Sequence, residues 1–414
     1  MDRRKIIGII GLIAVVALFG AGIYFLFFRR TPAEAPPTPP IVTPVPVNIP
    51  GLPPPTRVGP PGAFVPTPAA PGVPTIAAPE AAAPTPIATG GVTAVRAISE
   101  QSAAFVRLAS DGRPNYYDSA SGRFYRVGAD GKPTLLSDRT FPSVSGIAWA
   151  PSDDRAILEF PDGANILYDF RTNSQVTLPA HWEDFSFATD GTRIAGKSIG
   201  LDRENRWLFA ADPDGNNFQA VEPLGTNANR VTVEWSPNNQ VVAFSNTGNT
   251  IGDERQQIVV IGLHGENFPG IVVEGQGFQP RWSPSGAHIL YSAAHSSNDY
   301  RPELWFVGGA GDGIGSNRQR IRVNTWADKC TFASETTVYC AVPEELPRGY
   351  GLEPSLADRI PDTVERIDLA TGVRTTVGTP ATDASIRDLT ITPDGSTLYY
   401  TAKQDGRLYE MRLK

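Results

Sequence analysis

The sequence predicts an all-β fold: a seven-bladed β-propeller preceded by one transmembrane helix and a Pro-rich disordered linker. Three observations predict it. A single hairpin unit recurs along residues 92–414, its copies stand about 40 to 50 residues apart, and everything before residue 92 is either uncharged and apolar or dominated by proline. The organisation that follows is 1–30 as membrane anchor, 31–91 as linker and 92–414 as propeller.

The unit is clearest at Arg281-Trp282-Ser283-Pro284-Ser285-Gly286, followed by the alternating His288-Ile289-Leu290-Tyr291-Ser292. An apolar residue, a tight turn and a period-two run together describe one β-hairpin. Close copies begin at Trp235, Trp149 and Ile391, weaker ones at Phe187 and Phe332, and Leu108 opens a copy that matches the Ile391 unit position for position. The spacings between these seven anchors are 41, 38, 48, 47, 50 and 59 residues. Strand-and-turn repeats of that period form propeller blades, and a closed ring needs no caps.

The W-S-P-x-G-x-x-I/L-x-Y/F repeats resemble the TolB-type and WD40-like (PD40) propellers of bacterial envelopes, over most of residues 92–414. The resemblance implies the architecture and a kind of function, that of an envelope protein-binding scaffold. It names no partner.

At the N-terminus, Ile6 to Phe28 forms 23 residues without a charge, bracketed by Arg3-Arg4-Lys5 and Arg29-Arg30. A helix of that length spans a bilayer core of about 30 Å. Ala33-Glu34-Ala35 has the form of a signal-peptidase site, but the apolar run is long for a cleaved signal and Pro36 follows the would-be cut. The reading is therefore an uncleaved single-pass anchor in the inner membrane, N-terminus cytoplasmic and propeller extracytoplasmic. Residues 31–91 hold 20 of the 39 prolines. Proline fixes φ and removes donors, so this stretch is expected to be extended, with a reach on the order of 190 Å.

Charge is divided unevenly. Residues 1–91 carry six basic and three acidic side chains, or +3, which leaves −10 of the net −7 on the remainder. An acidic propeller is poorly suited to nucleic acid. The expected partners are envelope proteins, with a monomeric propeller touching the membrane only through its own anchor.

The last repeat supplies three strands before the chain stops, while Val92 to Ile98 alternates like a strand ahead of the first full repeat. Residues 92–98 are thus expected to pair with 407–413 as the missing outer strand, which removes an exposed edge. Labelling the strands of each blade A to D outward, the A–B and C–D turns share one rim and the B–C and D–A loops share the other. The linker should enter on the A–B rim. The A–B turns are short, whereas 200–206, 246–255, 293–302 and 343–361 make long B–C loops, where binding usually resides. From these and neighbouring loops come the candidate binding residues Trp182, Arg203, Glu204, Asp253, Arg255, His295, Asp299, Arg301, Trp326, Arg348 and Tyr350. Their mixed charge and aromatic content suit a protein partner.

No catalytic residue is assigned. Gly196-Lys197-Ser198-Ile199-Gly200 matches a nucleophile-elbow pattern, but that motif works only on a strand-to-helix turn. Asp212-Pro213-Asp214-Gly215-Asn216-Asn217 lacks the later Glu of a calcium loop and reads as an ordinary turn. The four histidines are scattered, so no metal or cofactor is expected. Trp149, Trp235 and Trp282 are assigned to packing between blades. A propeller enzyme, or a small-ligand or carbohydrate-binding protein using the central channel, is the alternative function. Carboxylates or histidines converging on the channel mouth with shifted pKa values would favour it.

Cys330 and Cys340, the only cysteines, are placed symmetrically about the sixth hairpin turn. Residues so placed face each other across two strands at disulfide distance. A bridge there implies an oxidising compartment.

Overall fold

The structure, a computed structural model, describes residues 83–152 and 154–414. The Ile6–Phe28 span and most of the Pro-rich linker lie outside the described residues. Among the described residues no helix is long and apolar enough to cross a membrane.

Residues 92–414 form seven sheets, each built on a meander of consecutive antiparallel strands, to which the first two short strands of the chain add an outer edge on blades six and seven. The first strands, A, are Ala103–Leu108, Gly146–Trp149, Trp182–Phe187, Val231–Val233, Gln276–Trp282, Cys330–Phe332 and Ile386–Ile391. In four gaps neighbouring A strands touch directly, the fourth and fifth blades meet through outer strands and the fifth and sixth through the turn before Cys330, and the A strand of blade seven meets that of blade one, which closes the ring. The seven-bladed expectation therefore holds.

Local chemistry makes each hairpin. In blade five, Gly286 N–H donates to Ser283 O at 2.9 Å, and Gly286 has φ +73°. Only glycine, or a tolerant residue such as asparagine, enters that left-handed region cheaply. Asn239 takes the equivalent position in blade four with φ +58° and the same backbone bond to Ser236 O. The period-two strands then bury one face against each neighbour. Seven apolar clusters result, one in each gap between adjacent blades. Trp149, Trp235 and Trp282 lie in three of these gaps, as expected; Trp149 stacks on Phe170 and meets Phe124 of blade one edge-on.

Ring closure differs from expectation in one respect. Val95–Ala97 pairs antiparallel with Leu408–Arg412 of blade seven, as the missing outer strand requires. Val92–Thr93, however, runs parallel to Arg374–Pro380 and adds a fifth strand to blade six. The single strand read over 92–98 is thus two short ones on two blades. The cause is the open outer edge of blade six, whose unpaired groups take Val92 and Thr93, while Ala94 N–H turns away to Thr85 O at 2.8 Å. Thr85 bridges Thr93, and Ala88 N–H reaches Arg412 O at 2.9 Å. Residues 83–91, read as the end of the linker, therefore run along the propeller. Val95, Met411, Leu398 and Ile391 stand in one row beside the 392–396 turn, so the closing strand does begin on the A–B rim.

Cys330 and Cys340 are directly paired across strands A and B of blade six and form a disulfide with a Cα–Cα distance of 4.0 Å.

Candidate functional site

Two features lie on the B–C rim. The first is a platform of three loops from blades four, five and six. His295 Nδ1 is 2.8 Å from Ser297 Oγ, and its Nε2 is 3.2 Å from Asp253 O and 3.6 Å from Glu254. Glu254 in turn accepts from Tyr300 OH at 2.7 Å and from Ser296 N–H at 3.1 Å. Asp299 pairs with Arg301 at 2.9 Å and stands 4.0 Å from Arg348, while Arg301 Nε donates to Leu346 O at 2.6 Å. Backbone bonds from Gly349 and Gly351 to residues 299 and 300 tie the blade-six loop to the blade-five loop. The structure thus brings Asp253, His295, Asp299, Arg301 and Arg348 into one network, with Arg255 and the half-buried Tyr350 beside it.

Arg203 and Glu204 stand exposed on the separate blade-three loop. Trp182 and Trp326 depart from the expectation of rim residues. Trp182, 5 % exposed, begins strand A of blade three and packs on Phe209 with ring centroids 4.0 Å apart. Trp326, 4 % exposed, precedes a short 3-10 turn and lies under Lys329. Trp182 falls where loop meets strand, and an indole there gains more by burial in the gap than by facing water, whereas Trp326 lines a cavity at the mouth of the central channel. The rim also has an apolar component that charge reasoning missed: Leu356 is 54 % exposed, Leu352 50 % and Ile251 40 % on the platform loops of blades six and four, and Leu201 is 100 % exposed on the blade-three loop. Ser198 sits within strand B of blade three, opposite Trp182 and Trp207, and is buried, so the elbow pattern is strand backbone.

The second feature is a cavity of about 630 Å³ at the mouth of the central channel. Arg281, Asp328, Lys329, Asp358, Arg387, Asp388, Lys403 and Asp405 line it, together with Trp326. Lys329 is fixed by Asp362, whose two oxygens are 2.8 and 2.6 Å from its Nζ; the pair is buried, and Asp362 also accepts from Ile386 N–H at 2.6 Å. Lys403 pairs with Asp358. Arg281 is held by main chain: its Nε and Nη2 donate to Ala327 O and Asp328 O at 3.2 and 3.4 Å.

Alternation explains how these charges reach the axis. With each anchor buried between blades, the residue before it faces inward. Arg107, Ala148, Ser186, Glu234, Arg281, Thr331 and Thr390 occupy that position. Three residues before the anchor, strand A bulges in blades one, three and seven, and Phe105, Asp184 and Asp388 have φ of +53°, +59° and +51°. Left-handed non-glycine residues are costly and gather at functional sites. Burial pushes the Glu234 carboxyl up to about 7, against the pull of Arg281 and with a push from Asp184. Burial likewise raises Asp388, against Arg387, and Asp362, against Lys329. The rule that residue minus one lines the channel was available in the sequence for Glu234 and Arg281. The bulge that delivers Asp388 had no local signature.

Among the described residues no group of three or more His, Cys, Asp or Glu is arranged to hold a metal ion.

No family model matches the chain, and no curated protein does. Solved structures do. Oligogalacturonate lyase in complex with manganese aligns at 12 % identity and a TM-score of 0.52, over 76 % of this chain and 90 % of that one. The β-propeller domain of Myceliophteria thermophila Cps50 (Swd1) gives 10 % and 0.50, over 77 % and all of its length. A chain of the mitotic checkpoint complex gives 14 % and 0.52, over 81 % and 96 %. The likeness is one of fold. An enzyme and assembly proteins share it, so it selects no function.

Proposed function

We propose that this chain is a membrane-anchored, extracytoplasmic propeller of the TolB-like, PD40 kind, acting as a non-catalytic protein-binding scaffold of the cell envelope. The observation that carries the binding reading is the set of exposed Ile251, Leu352 and Leu356 on the loops that carry the Asp253–His295–Asp299–Arg348 network, with Leu201 exposed on the blade-three loop of the same rim. Apolar tips over a hydrogen-bonded polar frame suit a protein interface, because the frame fixes the loops before docking and lowers the ordering cost. The uncharged Ile6–Phe28 run and the prolines that follow support the anchor, and the Cys330–Cys340 bridge supports an oxidising compartment.

The test is affinity capture from envelope membranes with the full chain in detergent, against a Leu201→Asp/Leu352→Asp/Leu356→Asp variant of unchanged melting temperature. A partner captured by the first and lost by the second supports the reading. An unchanged set of captured proteins sinks it. Retention in the membrane after a high-salt wash, with an N-terminus upstream of Ile6 by mass spectrometry, tests the anchor.

A second reading is favoured by a specific observation: the cavity at the channel mouth, lined by eight charged side chains including Asp388, whose carboxyl burial pushes up, has the character of a small-ligand site.

A further inference from the structure

We propose that the channel-mouth cavity binds a small zwitterion of the amino-acid or short-peptide type, its carboxylate on Arg281 and Arg387 and its ammonium on Asp328 and Asp388. This rests on the small-ligand reading of the cavity and goes on to name the chemistry of the ligand.

Several of the charges around the cavity are already paired. Lys329 and Lys403 are taken by Asp362 and Asp358, and Asp405 accepts from Tyr409 OH at 2.6 Å and from Arg407 N–H at 2.9 Å. What remains is Arg281 and Asp328, each without an ion-pair partner among the described residues, and the loosely paired Arg387 and Asp388. Arg281 donates only to main-chain carbonyls, and among the described residues it has no ion-pair partner. Arg387 donates through Nη2 to Ala103 O at 3.3 Å, and its Nε makes a long ion pair of 3.7 Å with Asp388 that is not a hydrogen bond, so a ligand can open it. The Asp328 side chain has no hydrogen bond or ion pair among the described residues; only its main-chain oxygen is used.

A second observation points the same way. Arg387 Nε and Trp326 Nε1 are buried without a hydrogen-bond partner, and both residues line the cavity. Buried donors without acceptors are costly, and a bound carboxylate supplies acceptors. A ligand with only a negative charge would leave Asp328 and Asp388 facing it, and one with only a positive charge would face the two arginines. A ligand carrying both charges answers both pairs. The cavity, at about 630 Å³, is within the range of small-molecule sites. The left-handed turn of the backbone at Asp388, φ +51°, aims that carboxylate independently of the strand pleat.

Calorimetric titration of the full chain in detergent with four probes tests this: L-alanyl-L-alanine, its N-acetyl form, its C-terminal amide, and sucrose as an uncharged polyol. The free dipeptide is expected to bind, each blocked form at least tenfold more weakly, and sucrose not at all. Asp328→Asn should weaken the dipeptide tenfold while leaving the melting temperature unchanged, since its carboxylate supports no other group. Arg281→Lys, which keeps the charge and loses the planar fork, should also weaken it. Equal binding of the acetylated form would overturn the zwitterion in favour of an anion site. Binding of sucrose alone would overturn it in favour of a polyol site. In both cases the small-ligand reading survives. Failure of all four probes at millimolar concentration overturns both.

Discussion

Removing Lys329 isolates the most deeply buried charge among the described residues. Its Nζ lies 2.8 and 2.6 Å from the two oxygens of Asp362, which has no exposed surface and whose carboxylate has, among the described residues, one further hydrogen bond, from Ile386 N–H. In Lys329→Met the carboxylate keeps one backbone donor and loses its counter-charge. Breaking a buried pair in this way costs about 3–5 kcal/mol. The pH dependence follows from the direction of the Asp362 shift, which is upward because of burial, with Lys329 opposing it. A carboxyl whose folded pKa is raised favours the fold below its unfolded value of 3.8 and loses that contribution as pH rises. Without Lys329 the shift grows, so the gap between variant and wild type should widen from acid to neutral pH. Urea unfolding of the two proteins at pH 5 and pH 7 measures it. The double variant Lys329→Met/Asp362→Asn keeps an acceptor for Ile386 N–H and removes the orphaned charge, so it should recover roughly half or more of the loss, about 2 kcal/mol. A single-variant cost below about 1 kcal/mol at pH 7, or a double variant no better than the single, would refute the reasoning.

Glu234→Gln should act in the opposite sense. The Glu234 carboxyl is raised from 4.5 to about 7, so its contribution is intact below pH 4.5 and lost as pH rises through 7; the glutamine variant should be more stable above pH 7, by at most about 3 kcal/mol, with no advantage near pH 4. Superimposable stability–pH curves would show that the channel wall does not bury this charge. Cys330→Ser/Cys340→Ser removes a bridge around nine intervening residues, worth about 2.5 kcal/mol in the chain-entropy account. The ring should remain folded, while limited proteolysis speeds up in the 344–361 loop, whose first strand the bridge fixes; unchanged cleavage there would leave the disulfide without that role.

The sequence by itself determined the repeat and its consequences. Seven anchors 38 to 59 residues apart, five of them followed four residues on by a glycine or asparagine at positive φ and all by alternating apolar residues, required seven hairpin-based sheets, because period-two burial and turn chemistry act within a dozen residues. The Cys330–Cys340 pairing was readable for the same reason, and so was the closing strand at Val95–Ala97, since a last repeat of three strands leaves an edge to fill. Tertiary structure alone decided the rest. It split residues 92–98 between two blades, because the outer edge of blade six, some 280 residues further along, stood open beside Val92. It buried Trp182, which loop position alone had assigned to the rim, because an indole gains most in a gap whose other wall comes from distant sequence, and it set Trp326 in the wall of the channel-mouth cavity. It also gathered Arg281, Asp328, Arg387 and Asp388 around one cavity. These residues come from three different blades, and ring closure alone makes them neighbours; no local pattern of burial or turn chemistry records which of seven inward-facing positions will share the channel mouth.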